Sequence, residues 1–211
     1  MSKLYLMFAV LFSVNSLLAA SWSRDGTSNG ECIVRSHDAG GAMLRGSGQL
    51  IDPSGIVLTC AHGINGRETV IFPESEDTRT FRATVIAVDR VHDVSLLRIP
   101  RPKLGRFRPL AAITPRAGTP LVSFGFSSYR GRRGLLDGTV WSGGRTVRWG
   151  APSIPGDSGG PVMNSRGEVV SVIWGSADGY SYGIAPDRLR AFCQKHGITA
   201  RPAIPREIGQ P

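Results

Sequence analysis

A serine hydroxyl attacks a carbonyl at neutral pH only when a base within hydrogen-bond reach takes its proton, and a carboxylate must orient that base. Three residues of this 211-residue chain have the types for such chemistry. Ser158 stands in IPGDSGGP (154–161), where two following glycines permit a tight turn and keep the space around the hydroxyl clear. His62 closes VLTCAH, at the end of an expected strand where an imidazole can face a cleft. Asp93 precedes the apolar stretch VSLL, where a carboxylate is costly to bury without a partner such as an imidazole N–H. Each residue also has a plainer explanation. Gly, Asp, Ser and Pro are the commonest turn formers, and a histidine taken alone is more often structural than catalytic. His92, next to Asp93, is an alternative base on residue type alone, whereas His37 and His196 read as surface or packing residues. The histidines and cysteines show no paired ligand spacing, so no metal and no cofactor is expected.

The elements that must position these residues are short. SGQLI, GIVLTCA, ETVIF, RATVIAV, VSLLRI, PLVSFGF, GTVWS, TVRW, GPVMN, EVVSVIW and YSYGIA recur between turn signals such as DPSG (52–55) and NSRG (164–167). Rich in Val, Ile, Thr and aromatics, they predict an all-β chain of barrels or a sandwich, because the helical patterns of a βαβ fold are missing between them. One helix is expected in PDRLRAFCQKHG, from Pro186 to a stop at Gly197, with Leu189, Phe192, Cys193 and His196 on one face. The loop YRGRRG (129–134) reads as solvated.

TCAH, HDVSLL and GDSGGP, in this order and spacing, resemble the trypsin-like (chymotrypsin-fold) serine peptidases, over about Gly46 to Phe192. The resemblance implies two packed six-stranded antiparallel β-barrels with a C-terminal helix, and a triad in the crevice between them. It implies Ser158 as nucleophile, His62 as general base and Asp93 as the carboxylate that orients it. The oxyanion hole falls to the backbone N–H groups of Gly156 and Ser158, and Asp157 organises the loop. Substrate-binding positions carried over are Pro152 and Ser153 at the base of the specificity pocket, Ile173 and Trp174 on the groove, and Gly175 and Gly183 as pocket walls. No aspartate stands at the pocket base, so cleavage after apolar residues is expected, not after Lys or Arg, unless Asp178 reaches in. Gly63 and Ile154 replace cysteines of the animal digestive enzymes, and the mature start lacks their Ile-Val-Gly-Gly segment. GQLIDPSGIVLTCAHGI is closer to bacterial trypsin-like and Deg-type peptidase domains. Activity is therefore expected without zymogen cleavage, and no Deg-type peptide-binding module is expected after the helix.

Residues 1–20 pair Lys3 with an apolar run and a small-residue exit, the layout of a secretory signal peptide. The apolar stretch is short of the roughly 20 residues that span a bilayer. The expected plan is a leader (1–20), a peptidase domain (21–198) and a proline-rich, disordered tail (199–211), in a secreted or periplasmic protein with no membrane anchor after leader removal. The formal charge is +9, or +8 once Lys3 is removed, but the arginines are scattered, so no nucleic-acid partner is expected and the partner is a protein or peptide substrate. Three cysteines permit one bridge at most, and Cys32 with Cys193 is the pair that ties the chain ends together, an alternative left open beside no bridge at all. Two readings compete with a secreted endopeptidase. A catalytically idle relative that binds through the same fold is one, though no triad residue is lost. An anion-binding β protein is the other, resting on charge alone.

Overall fold

The computed structural model describes residues 29–73, 79–104, 106–127, 131–139, 141–143, 146–150 and 152–199. The expected leader, and the expected tail beyond residue 199, lie outside them. Among the described residues the chain forms β1 (Glu31–His37), β2 (Met43–Asp52), β3 (Ile56–Thr59), β4 (Arg67–Ile71), β5 (Thr80–Asp89), β6 (Val94–Arg98), β7 (Pro120–Ser127), β8 (Gly131–Thr139), β9 (Trp141–Gly143), β10 (Thr146–Trp149), β11 (Pro161–Met163), β12 (Val169–Ala177), β13 (Tyr180–Ile184) and the helix α1 (Pro186–Lys195). The fold is all-β with one C-terminal helix, as the sequence predicts.

The first six strands close into a barrel in the order β1-β2-β3-β6-β5-β4, each neighbour antiparallel. Side chains alternate between the two faces of a strand. The inward set, including Val34, Leu50, Val57, Val70, Phe81 and Leu97, fills the barrel and excludes water from it. The second half is a seven-stranded sheet in the order β8-β7-β11-β12-β13-β10-β9, where six strands were expected. The difference lies in GTVWS, read as one strand. Its Gly138 and Thr139 end β8, and Trp141 and Ser142 belong to β9, which pairs with β10 instead.

Two stretches depart from the sequence reading. ECIVRSH forms β1 although the alternation is hidden by a buried Glu31 and Ser36. Gly131 to Gly134, expected in a solvated loop, open β8 and pair with Ser127 to Phe124 of β7. The helix matches its sequence signals. Pro186 sits in its first turn, Asp187 favours the positive N-terminal end, and Gly197 takes φ 77° just past the last turn.

A buried apolar cluster joins the two halves. Ile51, Leu58, Val94 and Leu96 of the barrel meet Val122, Phe124, Met163 and Val172 of the sheet, with Leu189 and Cys193 of α1 beneath them. The helix thus closes the base of the core that holds the barrel against the sheet. The cysteine bridge left open by the sequence does not form. Cys32 lies in the barrel core and Cys193 in the cluster under the helix, and both are buried and free, as is Cys60. Burial pushes the Cys193 thiol up to about 12 and raises Cys32 as well, so neither is a ready thiolate. The melting temperature is therefore expected to be the same with and without dithiothreitol. A drop of several degrees on reduction would show a structural disulfide.

Candidate active site

Ser158 lies in a loop clamped from both halves of the molecule. On the barrel side, the Ser47 N–H of β2 donates to the Ser158 carbonyl at 2.7 Å. The Ser47 hydroxyl accepts from the Phe126 N–H and donates to the Gly156 carbonyl, each at 2.7 Å. On the sheet side, Gly159 N–H donates to Ile173 O and Ile173 N–H donates to Gly160 O, at 2.7 and 2.9 Å. Asp157 is fully buried and accepts the Ile154 N–H through Oδ2 at 3.0 Å, drawing the loop into a tight turn. The glycines of GDSGGP answer to that crowding. A Cβ on Gly160 would strike the Phe124 carbonyl, and one on Gly159 would strike the Ser47 carbonyl and the Thr59 hydroxyl. Gly156 takes φ 97°, which a side chain would strain. The N–H groups of Gly156 and Ser158 donate no hydrogen bond among the described residues. Both N–H groups are therefore open to an external acceptor.

His62 and Asp93 come together across the end of the barrel. His62 Nδ1 donates to Asp93 Oδ2 at 2.7 Å, with the tautomer set by that acceptor. Asp93 Oδ1 accepts from the N–H groups of Ala61 and His62 at 2.9 and 2.7 Å, so the carboxylate is held at both oxygens. Its backbone has φ 53°, a left-handed conformation that costs energy for a residue with a side chain and turns the carboxylate toward His62. Burial pushes the Asp93 carboxyl up, but its bonds to His62 and to the two N–H groups outweigh that and leave it below the ordinary carboxylate range. The alternative base, His92, has its own partner. Its Nδ1 bonds Asp89 Oδ2 at 2.7 Å in the β5–β6 turn, and Asp89 is not shared with His62.

The other nitrogen of His62 is the one that would accept a serine proton. It lies 3.7 Å from the Cys60 Sγ, and no hydrogen bond joins it to Ser158 Oγ among the described residues. The Cys60 sulfur thus stands at the nitrogen a serine hydroxyl would use, where it can accept the Nε2–H of the protonated ring. The hydrogen bond to Asp93, then the contact with Cys60, raise the His62 imidazole to about 10 despite partial burial. Residue types alone pointed to His62 but not to Cys60, although a cysteine two positions before the candidate base in TCAH was visible. Arg90 also went unnoticed. Its guanidinium reaches the carbonyls of Ala61 and Ile64 at 3.3 Å and braces the turn that carries His62.

The positions expected around the substrate divide into two groups. Pro152 is exposed, Ser153 is buried, and the Ser153 carbonyl accepts the Ser176 hydroxyl at 2.8 Å, which ties this segment to β12. Trp174 is half-buried with its ring 5.6 Å from that of Tyr182, and a Cβ on Gly175 would meet open space. Ile173 is placed differently from the expectation of apolar groove surface. Its side chain is fully buried with Val147, Trp149 and Val162, because the alternation along β12 points it into the sheet's core. Gly183 is buried against β12, where a Cβ would strike Ser171 Oγ and the Val172 carbonyl, so its missing side chain serves strand packing. Asp178 sits exposed in the turn after β12 with φ 51°. Among the described residues no helix is long and apolar enough to cross a membrane.

Comparison with known proteins gives the family and supports the fold. A Synechocystis sp. protein assigned as the serine protease HhoA is 32% identical over 167 residues, covering 70% of this chain and 42% of that protein. The mitochondrial serine protease HTRA2 of Drosophila ananassae is 29% identical over 180 residues, covering 79% of this chain and 42% of that protein. The chain thus spans less than half the length of these relatives. In fold it is similar to the serine endoprotease from Yersinia pestis, with a TM-score of 0.70 at 21% identity over 87% of this chain and 66% of that one. The Rv3671c protease from M. tuberculosis in its active form gives a TM-score of 0.68 at 23% identity over 90% and 88% of the two chains. Residues 46–172 match the family described as the trypsin-like peptidase domain, and this chain belongs to that family.

Proposed function

We propose that the chain is an exported serine endopeptidase that hydrolyses protein or peptide substrates through an acyl-enzyme. The observation that carries this reading is the His62–Asp93 hydrogen bond of 2.7 Å beside a loop that presents Ser158 with two unused N–H donors. In the reaction, His62 Nε2 takes the Ser158 proton as the hydroxyl attacks the carbonyl, and returns it to the leaving amine. Asp93 keeps the proton of Nδ1 in place and stabilises the imidazolium that forms. Gly156 and Ser158 N–H groups receive the negative charge on the tetrahedral oxygen, worth about 3 kcal/mol each in comparable sites. Export is read from residues 1–20 alone. The relatives called mitochondrial show that this fold also serves other compartments.

Ser158→Ala is expected to lower peptide hydrolysis by on the order of a millionfold while leaving the melting curve unchanged, since triad members act as a unit. Labelling by a fluorophosphonate should require Ser158 in the folded protein. A variant that keeps more than a trace of turnover would remove Ser158 from the nucleophile's role, and a wild type that neither labels nor cleaves would favour a binding protein.

The pH dependence follows from the state of His62. The base must be neutral to act, and its affinity for the proton is raised to about 10. Below that range the imidazolium predominates, so kcat/KM should climb with pH well past 6.5 and into the alkaline region. The Cys60 contact contributes to the rise, and Cys60→Ala should therefore move the midpoint to lower pH and increase kcat/KM several-fold at neutral pH. The pH–rate profile of both proteins measures this, and NMR titration of His62 in the Ser158→Ala background reads the same midpoint without turnover. Coincident profiles would show that the thiol does not act on the base.

The primary pocket should favour Val, Leu, Met or Phe. Neither Pro152 to Ile154 nor Trp174 to Ser176 supplies a carboxylate, and a buried Lys or Arg side chain without one would cost several kcal/mol. Cleavage profiling on a mixed peptide library measures the preference. Dominant cutting after Arg or Lys would contradict it and implicate Asp178.

A further inference from the structure

We infer that the outer face of the barrel carries a cationic exosite for acidic residues of the substrate on the leaving-group side of the scissile bond; this rests on the peptidase reading above. The sheet register aligns Arg45 of β2, Arg35 of β1, Thr69 of β4 and Arg82 of β5 as direct cross-strand neighbours in one row. The row beside it pairs His37 with Arg67. Strand alternation puts all of these on the face opposite the barrel core, whose inward residues include Val34, Leu50, Val70 and Phe81. An open groove of about 440 Å³ runs over this surface, lined by His37, Arg67, Glu68, Thr69, Thr80 and Arg82.

Two features separate this row from an ordinary solvated face. Like charges directly opposite one another destabilise a sheet, yet Arg35 and Arg45 face each other, and the Nε of each is buried without a hydrogen-bond partner. None of Arg35, Arg45, Arg67 and Arg82 forms an ion pair among the described residues. Glu68 and Asp38, the described carboxylates beside the row, are each engaged at one oxygen, and Glu74, Glu76 and Asp77, between β4 and β5 in sequence, lie outside the described residues. Glu68 accepts the Ser36 hydroxyl and the Gly66 N–H, and Asp38 accepts the Ala42 N–H. The guanidinium groups make no ion pair among the described residues, and carboxylates match their donor geometry.

The position of the row says what that ligand is. Arg45 and Ser47 share a face of β2, and Ser47 is the residue whose N–H holds the Ser158 carbonyl. The row therefore starts beside the nucleophile and leads away from it. The Ser158 loop lies between Ser47 of β2 and Ile173 of β12. If the acyl side of a substrate adds to β12 past Trp174, the leaving side passes over β2 and onto the arginines. Three inter-strand steps carry the row roughly 14 Å, the reach of about four extended residues. A chain that continues out of the cleft is polypeptide, so the ligand is an acidic stretch of the substrate itself and not a nucleic acid.

The test takes the best-cleaved library peptide and extends its C-terminal side with four glutamates or four glutamines. The glutamate peptide should show a KM several-fold to about tenfold lower, an advantage that fades between about 50 and 500 mM salt. Arg35→Gln/Arg82→Gln should erase that difference and leave kcat/KM for the glutamine peptide unchanged. Independently of turnover, a fluorescein-labelled tetraglutamate peptide should bind the Ser158→Ala protein in an anisotropy titration and bind the variant that also carries the two arginine changes more weakly. Equal KM values with active enzyme, or an advantage kept without Arg35 and Arg82, would overturn the exosite and leave the peptidase reading intact. If the wild type cleaves nothing, the peptidase reading fails and the anisotropy titration alone decides the site. A DNA duplex that displaces the tetraglutamate at far lower concentration than acidic peptides do would show a polyanion site instead.

Discussion

The Ser158 loop depends on one residue outside the proposed triad, Ser47. Its N–H, hydroxyl and carbonyl make four short bonds, to Ser158, Gly156, Phe126 and Thr59, each at 2.7 Å. All four are buried, where a hydrogen bond contributes about 1 kcal/mol when made but leaves a costlier unpaired group when broken. The bonds join β2 and β3 of the barrel to β7 and to the Ser158 loop. Small changes in how the barrel sits against the sheet would therefore be felt first at Ser158. The apolar cluster beneath, with α1 closing it, supplies the bulk of the attraction between the halves, and Ser47 supplies their register at the site.

A second constraint is electrostatic. Asp93 is fixed by two backbone N–H groups before it meets His62, so the carboxylate is placed by the backbone and the imidazole follows it. The left-handed φ at Asp93 is sustained because these bonds and the paired β6 that follows leave the residue no relaxed alternative. A carboxylate this well held strengthens the histidine as a base and also keeps it charged longer. Cys60 adds to that tendency from the opposite nitrogen. In this geometry His62 Nε2 rests against the Cys60 sulfur, and the proposed reaction requires a substrate or a shift of the ring to bring it to Ser158. Active sites without substrate often show such loose or redirected contacts.

Much of this was legible in the residues, and what was not has physical reasons. Ser158, His62 and Asp93 stand in short motifs whose order and spacing carry information far beyond each alone, and the helix announced itself through Pro186 and Gly197. The strand β1 was missed because Glu31 and Ser36 interrupt its apolar character, though both are buried and Ser36 is hydrogen-bonded to Glu68. The start of β8 is hidden because glycine is disfavoured in strands and arginine has no strong preference, so pairing with β7 sets its conformation. Ile173 is placed on the groove with Trp174 by the family resemblance, yet its side chain is buried with Val147, Trp149 and Val162, beside an irregularity in the β12–β13 register that the residues do not announce. Ser47 and Cys60 were present in recognised stretches, but their roles arise from contacts between segments distant in sequence.

The alternation of β2 ties these observations to one another. Its even positions Gly48 and Leu50 serve the barrel interior, and a Cβ on Gly48 would crowd Val34 and Cys32 there. Its odd positions serve everything outside: Ile51 enters the cluster between the halves, Ser47 holds the catalytic loop, and Arg45 begins the cationic row. A slip of one residue would exchange the two sets, turning Arg45 and Ser47 toward an apolar barrel and leaving a glycine, Gly46 or Gly48, against the Ser158 loop. Such a slip is opposed by the whole barrel core. The same hydrophobic burial that closes the barrel therefore sets the angle of the Ser47 N–H, and with it the place of the Ser158 carbonyl. The geometry of the Ser158 loop is thus enforced by residues distant from it in sequence and packed in the barrel core.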